Sequence, residues 1–450
     1  METQISGAVP SSESGRRAIT GAGLAFGLTR PNILVLLCIG TLLHVGVAVA
    51  QGAARRHQWD FSHYYVSALA MRNGINPYTT DLRPLGLQLG LDGIARATDT
   101  PFFLLCFGPL TLLRPAPAYW IWFAINAAAL ALAMGLIVRT APRLDWRQLI
   151  SLCAIILLYP PLANQIFYAQ TQIVILLLVV VAMRALESPH DRTAGLALAV
   201  AGLLKVFPLA IVGYLVMRRR WRALAWAAIG LVAGTAATIL AFGAERNAGF
   251  VAGTYLTRSV GFLARPANVA LGSFISRMFW YAAGDVAVNP WLDWTRALTV
   301  VAAEAALIGL TIFATLPRTT AAHGDADTRV GYASRSFALW VVASIMLSPT
   351  AWIHYLVLLI LPFMLIAAAG WNGGASSRAL WAMAASYAVI VLSMAIAGSA
   401  QSSLANRPHL KTALEECATL SLILAYVATW FFAIDVPSGS NPRTPDAAVV

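Results

Sequence analysis

Long apolar runs dominate the chain, and short polar or basic segments separate them. Within each run the apolar residues are continuous and do not alternate, which predicts transmembrane helices of about 20 residues and not barrel strands of about 10. Backbone groups in hydrocarbon must hydrogen-bond internally, and a helix achieves this within one segment. The clear runs cover residues 31–50, 117–138, 149–163, 172–186, 223–242, 295–316, 336–350, 355–369, 379–398 and 413–433.

Two further runs are short or interrupted. Residues 101–113 are too few for a comfortable crossing and contain Pro109. Residues 194–217 carry Lys205 and Pro208 near their centre. Because proline interrupts helical hydrogen bonding, two short helices are expected in this second run.

Arginine clusters in short segments predict the orientation of the helices. They lie at residues 16–30, 139–147, 218–222 and 318–335. Short loops rich in arginine stay in the cytoplasm, which predicts about twelve membrane helices with both termini inside. In this arrangement 101–113 stays on the outer side and 194–217 crosses twice. If each short run instead crosses once, the number is again twelve but Arg139–Arg147 faces outside.

The favoured orientation places two long segments, 51–116 and 243–294, on the outer face. Loops longer than about 15 residues in compact proteins are usually functional or disordered. These two are rich in aromatic residues and proline, so short interfacial helices are expected in them. The tails 1–28 and 436–450 are rich in Ser, Gly and Pro and are predicted to be disordered and cytoplasmic. Residues 29–435 then form a single polytopic all-α domain.

Composition supports an integral membrane protein. Apolar residues make up 59% of the chain and charged residues 11%, against about 25% charged in soluble domains. The net charge of +12 resides in clusters at the ends of apolar runs, so it does not indicate nucleic-acid binding. The four cysteines lack metal-binding spacing, and no cleavable signal peptide is recognisable before residue 31.

Asp60 is the most informative candidate in the first long loop. Residues 61–72 are predicted to form a short amphipathic helix with Asp60 at or near its N-cap and Tyr64 one turn further on. Gly74 would end that helix. A carboxylate among aromatic residues at a membrane boundary is partly desolvated, which raises its pKa toward that of a useful base. A simple helix-capping role is the alternative.

Several other polar residues lie at the predicted outer face. Lys205 suits a phosphate, although its ammonium could instead extend to the membrane interface. The polar side chains of the turn containing Gln170 could line a cavity, or they could hydrogen-bond to the exposed backbone of the turn itself. His354 could bind a phosphate or a sugar hydroxyl, or be structural. Three loop arginines could bind a lipid-linked phosphate or anchor the protein at the membrane surface: Arg258, Arg265 and Arg277.

In this order, the polar segments resemble those of a known enzyme family, the bacterial polyprenyl-phosphate-mannose-dependent mannosyltransferases of glycosyltransferase family 87, in the GT-C class. The resemblance covers roughly residues 50–370. It rests on Asp60 with Tyr64-Tyr65, Gly74 with Asn76-Pro77-Tyr78, Tyr159-Pro160-Pro161, Gln170, the run Gly202/Lys205/Pro208 ending in Arg218-Arg219-Arg220-Trp221-Arg222, and Ser348-Pro349 with Trp352 and His354-Tyr355.

This resemblance implies a GT-C-type helical bundle and sugar transfer from a polyprenyl-phosphate donor to a lipid-linked or envelope glycan acceptor. The reaction would take place at the outer face of the bacterial cytoplasmic membrane. Asp60 takes the place of the family's general base, and His354 that of its histidine near the donor phosphate. Lys205 and the three loop arginines are expected to bind phosphate or lipid. Substrate contacts are expected from Tyr64, Tyr65, Gln170, Asn268 and Trp352. Neither a metal nor a cofactor is expected.

The sequence departs from the family pattern at two places. Ala169-Gln170-Thr171-Gln172 stands where the family often has Gly-Gln-Xaa-Asn, and Asn268-Val269-Ala270 where it often has Asn-Gln-Ser. The sugar therefore stays open: mannose transferred with inversion is expected, and arabinofuranose or another sugar is the alternative. A lipid or solute transporter is the alternative from another class, and the intramembrane charge and broken helix at 194–217 would suit it. It predicts internal repeats and polar residues at the membrane midplane, whereas the sequence shows no repeat and its polar residues gather on one face. A non-catalytic assembly subunit would tolerate loss of Asp60.

Overall fold

Helices form the regular structure in the computed structural model, which describes residues 59–91, 95–140, 144–256, 262–263, 265, 267–283, 290–316, 326–399 and 408–435. The α-helices, in chain order, are α1 Trp59–Arg72, α2 Arg83–Gln88, α3 Pro101–Phe107, α4 Pro115–Val138, α5 Trp146–Leu157, α6 Pro160–Phe167, α7 Gln172–Glu187, α8 Asp191–Leu204, α9 Val212–Met217, α10 Trp221–Phe242, α11 Ala244–Phe250, α12 Leu271–Ala283, α13 Pro290–Thr315, α14 Ala326–Met346, α15 Ile360–Trp371, α16 Ser377–Ser399 and α17 Pro408–Ile434. Among the described residues, 3₁₀ segments at Gly108–Leu112, Phe207–Ile211 and Ile353–Leu359 and a π segment at Val251–Leu256 join these helices.

Six helices of the described chain are long and apolar enough to cross a membrane. They are Pro115–Val138, Trp221–Phe242, Trp291–Thr315, Ile353–Trp371, Ser377–Ile396 and Thr412–Ile434. The pair α5 and α6, bent by 53°, can form a seventh. The protein is thus a multi-pass membrane protein, and the predicted number of twelve helices stays a prediction. The expected first helix, 31–50, and both tails lie outside the described residues.

The bundle has a buried centre and an apolar outer surface. The segment Ile353–Trp371 is 78% buried within the protein, whereas the corresponding part of α13 is only 17% buried. Large side chains on the outer helices are correspondingly exposed, including Leu240 on α10 and Trp291 on α13. An exposed apolar surface of this extent is stable against lipid and not against water.

Close packing of α8 against α10 depends on a small residue. A Cβ atom added at Gly195 would lie 2.2 Å from the carbonyl oxygen of Ala223 and 2.7 Å from the amide nitrogen of Ala227. Small residues allow the backbones of membrane helices to approach each other closely. This contact fixes the course of α8, which leads directly to Lys205.

The interrupted run 194–217 is divided into two helical segments, as predicted. Helix α8 ends at Leu204, Lys205 is extended (φ −146°, ψ 137°), and Pro208 lies in the following 3₁₀ segment. The run 101–113 is likewise short, with α3 followed by a 3₁₀ turn that contains Pro109. Short helices occur in both long segments, 51–116 and 243–294, in agreement with the sequence-based expectation.

Helix α1 differs from its prediction in one respect. It spans Trp59–Arg72, close to the expected 61–72, but it is not amphipathic. Residues 64–71 are all buried, so α1 is enclosed by protein and does not lie along a membrane surface. Tyr65 shows the reason, because its ring packs on Phe61 and its hydroxyl donates to the carbonyl oxygen of Leu113 at 2.6 Å.

Candidate active site

Polar side chains from distant parts of the chain line one cavity of about 480 Å³. The contributing segments are 60–64, 98–100, 164–170, 205–207, 250–255, 262–267 and 348–355. Seven of the residues singled out from the sequence lie on its wall: Asp60, Tyr64, Gln170, Lys205, Arg265, Trp352 and His354. The fold therefore brings together residues that are up to about 300 positions apart, within a protected space large enough for a sugar.

Asp60 lies in the first turn of α1, and its carboxylate is part of a hydrogen-bonded chain. The side-chain amide of Gln170 donates to Oδ2 of Asp60. The amide oxygen of Gln170 in turn accepts a hydrogen bond from the hydroxyl of Tyr64 at 2.5 Å. One oxygen of Asp60 is thus fixed in position by a residue from another part of the fold.

The surroundings raise the pKa of Asp60 from 3.8 to about 6. Burial is the largest cause, because it disfavours the charged form. The hydrogen bond from Gln170 and the positive charge of Lys205 act in the opposite direction, while the negative charge of Asp99 adds to the increase. A carboxylate with a pKa near 6 is ionised at neutral pH and is still basic enough to accept a proton during a reaction.

A strained turn between α6 and α7 holds Gln170. Ala169 has a φ of +52°, a region of backbone conformation that favours glycine. The indole nitrogen of Trp122 donates to the carbonyl oxygen of Ala169 at 2.6 Å, and the amide of Gln165 donates to the carbonyl oxygen of Gln170. Both roles that the sequence suggested for this turn are therefore present. Gln165 hydrogen-bonds to the backbone of the turn, and Gln170 lines the cavity.

Lys205 projects into the cavity from the break after α8. Its Nζ lies 3.4 Å from Oδ1 of Asp99. The side chain is only 18% exposed, so it pairs inside the protein and does not extend to a membrane interface. An ammonium at this place can stabilise a negative charge that develops on a bound substrate.

Asp99 was not recognised from the sequence as a site residue. It lies in the segment 98–100 just before α3 and is 2% exposed. The available signal was a carboxylate followed directly by Thr100-Pro101, a helix start, next to an apolar run. Only the tertiary structure shows that this helix start faces Lys205.

His354 also lies on the cavity wall, at the start of the 3₁₀ segment Ile353–Leu359. It is 6% exposed, and its ring centroid lies 6.3 Å from that of Tyr168 and 5.3 Å from that of Tyr355. Within the described structure its Nε2 has no hydrogen-bond partner. Trp352 packs edge-on against Phe262 with ring centroids 5.6 Å apart.

The structure places Asn268 behind the cavity wall. Its side-chain amide donates to the carbonyl oxygens of Phe262 and Pro349 at 3.2 Å, and its oxygen accepts from the backbone amide of Ala351 at 2.9 Å. These bonds fasten the segment that carries Trp352 and His354. The geometry thus supports a positioning role for Asn268, and Tyr65, which also lies off the wall, supports α1.

The three loop arginines differ in their surroundings. Arg265 is exposed at the cavity and lies over the ring of Phe262 at 5.8 Å. Arg277 is 1% exposed, and its guanidinium forms an ion pair with both oxygens of Glu416. Arg277 also donates to the carbonyl oxygens of Arg265 and Asn268 at 2.9 Å. Protein partners thus occupy the guanidinium of Arg277. Arg258 lies outside the described residues.

A comparison with known protein families identifies the chain. The model of glycosyltransferase family 87 matches residues 98–349, more than half of the chain. The protein belongs to glycosyltransferase family 87. This membrane enzyme is therefore a glycosyltransferase, as the sequence motifs indicated. The matched segment includes Asp99, Gln170 and Lys205, whereas Asp60 lies 38 residues before it and His354 lies five residues after it. A search of curated proteins found no significant match to the chain.

Proposed function

We propose that this glycosyltransferase moves a mannosyl residue from polyprenyl-phosphate mannose to a lipid-linked or envelope glycan acceptor. The reaction would take place at the outer face of the bacterial cytoplasmic membrane. The observation that carries the proposal is the joint presence of a basic carboxylate, Asp60, and a buried cation, Lys205, on the wall of one cavity. These are the two groups that a direct displacement of a sugar phosphate requires.

The reaction that follows is a single displacement with inversion. Asp60 takes the proton of an acceptor hydroxyl as that oxygen attacks the anomeric carbon. The bond between this carbon and the phosphate oxygen breaks, and its electron pair leaves with the polyprenyl phosphate. Lys205 and Arg265 stabilise the charge on the departing phosphate, and His354 can hydrogen-bond to it or to the sugar. A β-linked mannosyl donor would yield an α-mannoside.

The surroundings of the cavity support a lipid-linked donor. Phe250, Tyr255, Phe262 and Trp352 form an aromatic part of its wall. Tyr255 and Val251, which belong to the same π segment, are also solvent-exposed. A polyprenyl chain could lie against such an apolar and aromatic surface, which favours a lipid-linked donor over a water-soluble sugar nucleotide.

The identity of the sugar is the part of the proposal that the family pattern leaves most open. The departure at Val269-Ala270 falls on residues that are fully buried and off the cavity wall. It therefore changes the packing behind the site and not a direct sugar contact. Mannose remains the proposed sugar, and arabinofuranose is the outcome that a donor comparison must test.

The decisive experiment compares donors. Purified protein in liposomes receives a membrane glycolipid acceptor and one labelled donor: polyprenyl-phosphate mannose, polyprenyl-phosphate arabinofuranose or GDP-mannose. Transfer is expected only from the first, and an α-mannosidase should release the label. Transfer from GDP-mannose in the absence of lipid-linked sugar would contradict the proposed donor. Transfer of arabinofuranose alone would contradict the proposed sugar.

A labelling experiment tests the proposed outer-face site. In a variant without the four native cysteines, single cysteines replace Asp81 and Arg147, both of which are exposed. A membrane-impermeant reagent added to intact spheroplasts should label position 81 and not position 147. The opposite pattern would place the long segment 51–116 on the cytoplasmic side and contradict the proposed orientation.

A further inference from the structure

Asp99 is fixed in the cavity wall more firmly than a surface carboxylate would be. The hydroxyl of Thr100 accepts from the backbone amide of Phe103 at 3.1 Å, at the start of α3, and donates to the carbonyl oxygen of Leu203 at 2.5 Å, at the end of α8. The hydroxyl of Tyr78 donates to the backbone oxygen of Asp99 at 2.8 Å. The backbone of Asp99 is thus held from two sides, which keeps the residue on the cavity wall beside Lys205.

The two oxygens of this carboxylate have different surroundings. Oδ1 faces Nζ of Lys205 at 3.4 Å. Oδ2 is buried and has no hydrogen-bond partner in the described structure. A buried oxygen of a charged group without a hydrogen-bond partner is unfavourable, because its hydrogen bonds to water have been lost and no protein group replaces them. A bound molecule that donates a hydrogen bond to Oδ2 would supply the missing partner.

The chemistry of the proposed substrate restricts which part of it can do so. The donor phosphate carries no hydrogen to donate when ionised, and Asp99 repels its charge. Sugar hydroxyls are donors, and a carboxylate accepts from them. Because Asp99 and Lys205 are neighbours, a sugar attached to a phosphate can place one hydroxyl at Asp99 while its phosphate lies near Lys205.

We infer that Oδ2 of Asp99 accepts a hydrogen bond from a hydroxyl of the transferred sugar and thereby selects the sugar. The inference rests on the proposed function and adds a specificity-determining residue to it. A site built to bind a hydroxyl rejects an analogue that lacks it, because the buried protein group is then left unpaired. Asp60 would act on the acceptor, Lys205 on the phosphate and Asp99 on the sugar.

The test measures kcat/KM for polyprenyl-phosphate mannose and for its 2-, 3-, 4- and 6-deoxy analogues. With the wild-type enzyme, kcat/KM for one analogue should fall by a factor of about 10⁴–10⁵, and for the others by much less. In Asp99→Ala, and to a smaller extent in Asp99→Asn, mannose and that one analogue should become nearly equal. Asp81→Asn is the matched control, because Asp81 is an exposed carboxylate paired with Arg83 outside the cavity.

Each result decides between the roles. If the Asp99 variants lower kcat/KM for mannose and all analogues by one common factor, Asp99 acts only through Lys205, and the inference is overturned. A wild-type enzyme that accepts every deoxy analogue equally well overturns it without any variant. A wild-type enzyme that transfers no mannose from polyprenyl phosphate overturns the proposed function, and the inference falls with it.

Discussion

Gln170 donates a hydrogen bond from its side-chain amide to the carboxylate of Asp60, although the two residues are 110 positions apart in the chain. The bond orients the carboxylate and lowers its pKa, while burial raises that pKa more strongly. The balance leaves Asp60 with a pKa of about 6, suited to a general base at neutral pH. The predictions below test this pair and the contacts that support it.

Replacing Asp60 by asparagine should abolish most transfer without loss of the fold. Asn keeps the size of the side chain but cannot take a proton, and general-base catalysis is worth about 10²–10⁴ in rate. Since burial raises the pKa of Asp60, its ionised form costs folding stability at neutral pH, and Asp60→Asn should be at least as stable as the wild type there. Steady-state transfer and thermal unfolding in detergent measure the two effects. Turnover near that of the wild type would leave Asp60 without a catalytic role.

The pH dependence of kcat/KM should report the same group. Asp60 must be ionised to act as a base, so activity is present above pH 6 and is lost as the pH falls through that value. Below it, kcat/KM should decrease tenfold per pH unit. A carboxylate with the ordinary pKa of 3.8 would maintain activity to a much lower pH. A flat profile between pH 5 and pH 8 would therefore contradict the assignment.

Replacing Gln170 by leucine should move this profile to higher pH. The variant removes the hydrogen bond that favours the charged form of Asp60, so the pKa of Asp60 rises further. The midpoint of kcat/KM is expected above pH 6, with part of the rate retained at pH 8. Asn164→Leu is the control, because Asn164 lines the same cavity and makes no hydrogen bond to Asp60 in the described structure. An unchanged midpoint in Gln170→Leu would show that the bond has no effect on the base.

The ion pair of Arg277 and Glu416 should contribute to stability and not to donor binding. Arg277 is almost fully buried, and removing one partner of such a pair typically costs about 3–5 kcal/mol. Arg277→Met should therefore lower the unfolding temperature strongly, while Arg277→Met/Glu416→Met should lose less than the sum of the two single variants. The protein that remains folded should keep its KM for the donor.

Two comparisons make this prediction decisive. Arg83→Met breaks the exposed pair with Asp81 and should cost about 0–1 kcal/mol, as expected for a surface ion pair. A rise in KM for the lipid-linked donor in Arg277→Met, with unfolding unchanged, would instead support the phosphate-binding role predicted from the sequence.

The sequence alone determined the class of protein and its main chemical candidates. Hydropathy is a local property, because each apolar run partitions into lipid independently of the others. The runs 117–138, 223–242 and 379–398 therefore predicted helices, and the structure contains them. The break at Lys205 was also predictable from the local sequence, since a charge and a proline close together in one apolar run favour a break in a membrane helix.

Only the tertiary structure decided which partner each charge meets. From the sequence, Arg277 and Lys205 were equivalent candidates for phosphate, yet one is paired with Glu416 and the other lies on the cavity wall beside Asp99. Asp99 itself carried no recognisable motif. The energy of a buried charge depends on groups within a few ångströms, and the packing of distant helices determines which groups those are.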